Sequence, residues 1–188
     1  MEGLAGPRQR IDGRDVLMLA SSNYLDLAAH PAVLAGAREA LERFGAAAGG
    51  SRLINGNLAL HEQLERELAR FIGCEAVLLF STGYMANLGV ITALASEGDV
   101  VVSDALNHAS IVDACRLSRA QVRVFRHSDP GDLERVARGL GGFRRRILVT
   151  DGVYSMDGDV APLRELLPIA RAHEMLTVVD DAHGIGVL

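Results

Sequence analysis

The sequence contains no lysine; all 19 of its Lys/Arg residues are arginine. That absence excludes the phosphate loop G-x-x-x-x-G-K-[ST], and with it an NTPase built on that loop. It also removes the side chain that can act both as imine partner and as proton carrier, a role closed to an always-protonated guanidinium. Cysteine is scarce too. Cys74 and Cys115 are far apart and fit no metal-ligand or redox spacing, so no metal is expected, and reduced thiols in a cytoplasmic protein are. No apolar run approaches the ~20 residues of a membrane-spanning helix. The opening Met1-Glu2-Gly3-Leu4-Ala5 lacks the charged and apolar regions of a signal peptide. Positive charge is also in deficit. A net charge of −5 argues against a nucleic-acid partner, and the run Arg144-Arg145-Arg146 reads as a solvated loop.

What is present is ordinary globular composition, 49% hydrophobic and 23% charged over 188 residues, enough for a domain with its own core. After a short arm, the pattern predicts a small strand over Val16–Ala20 and a helix over Pro31–Phe44, with Pro in its first turn. A small-residue loop, Gly49–Gly56, leads to a second helix over Leu58–Phe71. The chain then alternates. Strands are expected at Ala76–Phe80, Val100–Ser103, Gln121–Phe125, Ile147–Thr150 and Leu176–Asp180. Helices are expected at Tyr84–Ser96, Ser110–Leu117, Asp132–Leu140 and Pro162–His173. Such alternation implies βαβ units. Strands that are apolar throughout imply cover on both faces. The expected fold is therefore α/β: three layers, a mostly parallel sheet with helices on both sides, preceded by an N-terminal arm. Residues 1–45 would form that arm and 46–188 the larger domain.

In open sheets of this kind, ligands bind at the carboxyl ends of the strands. Four of those ends carry unusual chemistry. Ser81-Thr82-Gly83-Tyr84 opens a helix, where free N–H groups and the helix dipole suit a phosphate; simple N-capping by Ser81 or Thr82 explains the same residues. His108, at another helix start, can stack on an aromatic ring or merely cap. Asp151-Gly152-Val153-Tyr154-Ser155-Met156-Asp157-Gly158-Asp159 lacks the spacing of a calcium loop and fits a structured loop presenting Ser155. The last strand delivers Asp180, then Asp181 and His183. An acid there can be a turn former or a magnesium ligand, or can hold a flat, charged cofactor. No H-x-x-x-H or C-x-x-C spacing supports zinc.

Taken in order, these stretches resemble the α-oxoamine synthases, pyridoxal-phosphate enzymes of fold type I. The series runs N-Y-L at Asn23, G-G-S-R-L-I-N-G at Gly49, H-E-Q-L-E at His61 and S-T-G-Y-x-A-N at Ser81. It continues with N-H-A-S at Asn107, D-G-V-Y-S-M-D-G-D at Asp151 and V-V-D-D-A-H-G-x-G-V at Val178. The resemblance implies a pyridoxal 5'-phosphate cofactor, with Asp180 paired to the pyridine nitrogen so that the ring stays protonated. It implies His108 stacked on the ring, His183 and Ser155 near the ring hydroxyl, and Ser81, Gly83 and Tyr84 around the phosphate. Asn23 and Ser51 would lie near the substrate, at or across a homodimer interface. His61 is read as structural. The implied reaction is a decarboxylative condensation of a small amino acid with an acyl-CoA. S-M-D-G-D followed by D-D-A-H-G-x-G-V is most similar to the branch that joins L-alanine to pimeloyl-CoA in biotin synthesis, or to the branch that acetylates glycine. An aminotransferase of the same fold would share Asp180.

Two departures follow from the same comparison. The imine-forming lysine is absent, so the chain is expected to be the N-terminal portion of a longer product, inactive alone. A catalytically dead remnant is the non-enzymatic alternative. Asp26 stands where the family pattern has Gly, and Asp is one of the better substitutes if that residue needs positive φ.

Overall fold

The computed structural model describes Gly3 and residues 6–188; Met1, Glu2, Leu4 and Ala5, on which the signal-peptide reading rests, lie outside the described residues. Packing divides the chain into a unit reaching to Leu79 and a unit running from Phe80 to Gly186.

The first unit begins with a hairpin of β1 (Arg8–Ile11) and β2 (Arg14–Leu17). Ile11 faces Arg14 across a two-residue turn, with φ of 50° at Asp12 and 76° at Gly13. Two positive φ values in an Asp-Gly pair are the demand of a type I′ turn. This turn fixes the register, so the strand ends at Leu17 instead of running from Val16 to Ala20. α1 (Pro31–Phe44) starts at His30, whose imidazole accepts from the Ala32 N–H at 3.3 Å. α2 (Ala59–Ile72) starts at Leu58, whose N–H donates to His61 Nδ1 at 3.1 Å, so His61 is a structural cap. Asp26 has a φ of 53°, the left-handed conformation that the Gly-to-Asp departure required.

The expected strand Ala76–Phe80 forms no ladder among the described residues. A strand needs a neighbour for its backbone groups, and side chains serve Leu79 instead. Its N–H donates to Glu65 Oε1 at 2.9 Å and its carbonyl accepts from Arg52 at 3.3 Å. Arg52 and Glu65 are themselves paired at 2.6 Å. The Arg52 hydrogen bond, reinforced by the Leu79 N–H, holds the Glu65 carboxyl down at about 2.

The second unit opens with α3 (Gly83–Leu94) and continues as β3 (Val100–Asp104), α4 (Ala109–Ser118), β4 (Gln121–Phe125), α5 (Pro130–Ala137), β5 (Arg146–Asp151), α6 (Leu163–Ala172) and β6 (Met175–Asp180). The four strands pair in parallel in the order β4-β3-β5-β6. Period-2 alternation splits their side chains between two cores. Val100, Val102 and Leu148 pack with Leu133, Leu166 and Ala170 from α5 and α6. Val101, Ile147 and Val149 pack with Ile91, Ile111 and Ala114 from α3 and α4. The unit is thus three-layered, as the apolar strands predicted. Among the described residues no helix is long and apolar enough to cross a membrane.

The strand order places a ligand crevice. From β3 the chain moves outward to β4, then crosses back to β5 on the other side of β3. The helices after β3 and β5 therefore lie on opposite faces, and the carboxyl ends of these two strands border an open crevice.

Candidate active site

Asn107 ties the crevice together. Its Nδ2 donates to Ser103 Oγ at 2.9 Å and to the Val149 carbonyl at 2.8 Å, while its Oδ1 accepts the Asp151 N–H at 2.9 Å. The ends of β3 and β5 are pinned to each other, and His108 and Asp151 are fixed on either side. The His108 N–H then donates to Asp151 Oδ2 at 3.0 Å.

A second chain of bonds crosses from α3 to β6. Asn87 Nδ2 donates to Ser110 Oγ at 2.9 Å and to Asp180 Oδ2 at 2.7 Å. Ser110 Oγ lies 2.7 Å from His108 Nδ1, and the Ser110 N–H donates to the same nitrogen at 3.2 Å. With two donors on Nδ1, the neutral His108 ring carries its proton on Nε2. The Ala182 N–H donates to Asp180 Oδ1 at 3.1 Å, so both oxygens of Asp180 are engaged and its carboxylate is fixed in direction.

Around this framework lies one cleft, lined by Gly83, Tyr84, Asn87, His108, Ser110, Asp151, Val153, Ser155, Asp180, Ala182 and His183. Of the residues singled out from the sequence, Gly83, Tyr84, His108, Ser155, Asp180 and His183 line this cleft together. Ser81 is exposed just before the helix and does not line the cleft. Thr82 is the cap, its Oγ1 accepting from the Met85 N–H at 3.1 Å. Among the described residues the Gly83 and Tyr84 N–H groups have no partner, which leaves them free for an anion. The Tyr84 hydroxyl donates to Asp113, and its ring meets His108 edge-on at 6.4 Å. Asn23 and Ser51 belong to the first unit. Asn23 Oδ1 accepts from the Ala28 N–H at 3.1 Å and its Nδ2 donates to Asp26 Oδ1 at 3.2 Å. The Ser51 carbonyl gathers the N–H groups of Ile54, Asn55 and Gly56.

Two glycines beside the cleft leave room for the Asp181 side chain, which would have to move if either carried a Cβ. A Cβ at Gly152 would stand 2.7 Å, and one at Gly184 2.3 Å, from Asp181 Oδ1. Asp181 thus occupies the space two side chains would need.

The electrostatics of the cleft are one-sided. Among the described residues two carboxyls face it, Asp151 and Asp180, and no arginine lines it. Asp151 Oδ1 is buried without a hydrogen-bond partner. Burial first, and Asp180 second, push the Asp151 carboxyl up to about 6. A buried acid held beside another acid is a place for a cation. A flat, protonatable heterocycle with a phosphate fits the donor set: acids at the strand ends, imidazoles and a hydroxyl at the sides, free helix N–H groups at the far wall. Sequence reasoning gave no role to Asn87, Ser110 or Asp151. All three fall inside the quoted motifs, and Asn87 sits one turn into the helix that opens at the site, a position that could have drawn attention to it.

The family model for aminotransferase class I and II matches residues 14–188. The chain belongs to this family. It is 52% identical to the 8-amino-7-oxononanoate synthase of Thermoanaerobacter pseudethanolicus, over all of this chain and 48% of that protein. It is 53% identical to the enzyme of the same description from Geobacter sulfurreducens, over 99% of this chain and 48% of that protein. Among solved structures, a serine palmitoyltransferase variant from S. paucimobilis with a bound PLP–myriocin aldimine matches with a TM-score of 0.92 and 40% identity, over 95% of this chain and 47% of that one. The chain spans about half the length of the curated relatives it matches.

Proposed function

We propose that this chain contributes the cofactor-binding portion of a pyridoxal-phosphate C-acyltransferase that condenses L-alanine with pimeloyl-CoA, releasing carbon dioxide and CoA to give 8-amino-7-oxononanoate for biotin synthesis. The observation that carries this reading is identity near 50% to 8-amino-7-oxononanoate synthases along the whole chain. The structural neighbours of serine palmitoyltransferase type favour a second reading within the same reaction class, with another amino acid and a longer acyl chain.

When bound, pyridoxal phosphate supplies an electron sink for negative charge at the α-carbon of an amino acid. Asp180, aimed by Asn87 and the Ala182 N–H, would face the ring nitrogen and hold a proton there. His108 would lie against the ring face, its tautomer set by Ser110. Ser155 and His183 would meet the ring hydroxyl. Gly83 and Tyr84, with Ser81 beside them, would take the phosphate at the start of α3. Asn23 and Ser51 would serve the substrate. The lysine amine this chemistry needs is not among the 188 residues, so the proposal requires it to come from outside them. We place the start of the cofactor domain at residue 46 and the protein in the cytoplasm. A homodimer is supported by apolar side chains left exposed on α1 and α2, among them Val33, Leu41, Leu64 and Phe71.

The test is an assay of the full-length protein with alanine, glycine and serine against short and long acyl-CoA thioesters. Alanine with pimeloyl-CoA is expected to give the highest kcat/KM. Preference for glycine with acetyl-CoA, or for serine with a long acyl chain, would overturn the substrate assignment. The 188-residue chain mixed with pyridoxal phosphate is expected to show no borohydride-reducible adduct; a reducible adduct would mean that another amine substitutes for lysine.

A further inference from the structure

His127, beyond the end of β4, touches two carboxylates. Its Nδ1 lies 2.9 Å from Asp104 Oδ1 and its Nε2 2.8 Å from Asp159 Oδ2. Neither carboxylate can donate, and a neutral imidazole has only one N–H. Both bonds exist together only when the ring is an imidazolium.

The two partners differ. The Asp104 side chain is fully buried at the end of β3, and that of Asp159 is 41% exposed in the loop after β5. Asp104 also accepts from the Leu106 and Ser128 N–H groups at 2.9 and 2.8 Å. For Asp159 Oδ2 the imidazole is the one partner among the described residues, and Asp159 Oδ1 is buried with no hydrogen-bond partner among them. The Asp159 loop is the one that carries Ser155. It closes through Tyr154 N–H to the Asp159 carbonyl at 3.0 Å and Gly158 N–H to the Tyr154 carbonyl at 2.7 Å. The Tyr154 ring stands edge-on to His127 at 4.4 Å, and its hydroxyl shares a hydrogen bond with Thr150 Oγ1 at 2.7 Å.

We propose that His127 is a positioning residue: as an imidazolium it clamps the Ser155 loop to the end of β3, and loss of its proton releases the loop at Asp159. The direction of release follows from burial. The remaining proton stays on Nδ1, because the Asp104 side chain is fully buried, whereas the partly exposed Asp159 can turn its carboxylate to water once the loop is released. Nε2 then presents a lone pair to Asp159, and the Ser128 hydroxyl, 3.4 Å away, is placed to donate to it instead.

The charged and titratable groups around the ring are Asp104 from β3 and Asp159 and Tyr154 from the loop. Arg126 beside it is engaged with Asp129 and Asp132. Burial works to lower the His127 pKa, but the bonds to Asp104 and Asp159 outweigh it and hold the pKa above the ordinary histidine value. The clamp is therefore full below the unfolded value of about 6.5 and is lost as pH rises through the raised value.

The clamp itself is independent of the proposed function; only its bearing on the cofactor, through Ser155, rests on that reading. The test is nitrogen NMR of histidine in the full chain, with hydrogen exchange at the Tyr154 and Gly158 amides corrected for intrinsic rate. Both His127 nitrogens are expected to be protonated at pH 6, with a titration above the ordinary histidine value of about 6.5. Loop protection is expected to fall about tenfold across that titration, a 1.4 kcal/mol change. In Asp159→Asn the step should vanish while the unfolding midpoint stays near that of the parent. His127→Gln should remove it too, at some cost in stability. A His127 titration at or below the ordinary histidine value of about 6.5, or flat protection across it in the parent chain, overturns the clamp. In the full-length protein, the step seen without any pyridoxal-phosphate absorbance would sink the proposed function and leave the clamp standing; absorbance without the step does the reverse.

Discussion

The two units of this chain use similar amounts of apolar sequence to different ends. From Phe80 onward, two buried clusters sandwich a parallel sheet, and residues such as Val101, Leu148 and Leu166 are wholly withdrawn from water. Up to Leu79, both helices have clear apolar stripes, yet neither buries a single residue. Leu64 is 45% exposed and Phe71 70%. An amphipathic pattern states which face wants cover; it does not supply the cover. The second unit finds cover within itself, whereas the first presents stripes for something else to meet.

The sharpest way to break this comparison is a pair of truncations at equivalent residues. Leu148→Ala, in the second unit, is expected to cost about 2–5 kcal/mol in denaturant unfolding. Leu64→Ala, in the first, should cost under about 1 kcal/mol in the 188-residue chain. Equal losses would show that α2 is as well packed as β5. In the full-length protein, Asp180→Asn is expected to lower turnover at least about 100-fold, close to 3 kcal/mol of transition-state stabilisation, with little change in unfolding; turnover like the parent's would remove Asp180 from the ring-nitrogen role.

A smaller effect is expected at Asp151. Its carboxyl sits at about 6 in the folded chain, above the unfolded value of about 3.9. A raised acid contributes stability only below its unfolded value, and that contribution is lost as pH climbs through the folded value. Asp151→Asn should therefore flatten the stability change between pH 4 and pH 6 and raise stability at pH 7 by the order of 2 kcal/mol. An unchanged pH profile would mean that Asp151 is not the buried acid of the cleft. The smallest change is expected in the first unit. Asp26→Gly, at a φ of 53°, should shift the unfolding midpoint by no more than about 1 kcal/mol in either direction.

Much of the second unit was readable before any coordinates. Strands such as Gln121–Phe125 and the helix–strand alternation follow from β-branched runs and turn residues acting locally. The strand-end motifs gave six of the cleft's residues because chemistry in a parallel sheet collects at one edge. The hairpin turn at Asp12-Gly13 was equally local and could have been read. Asn87, Asp151 and Ser110 were harder, since an amide one helical turn from a site has many ordinary uses, and its partner Asp180 lies far along the chain.

The sequence by itself determined the layers, the family and which strand ends present polar residues, because these depend on side-chain periodicity and short motifs. Only the tertiary structure decided that Ala76–Phe80 pairs with no strand among the described residues, that Asn87 links His108 to Asp180 through Ser110, and that His127 lies between two acids. Each of these is a meeting of distant segments, and a hydrogen bond requires both partners at about 3 Å, a distance that no local pattern contains.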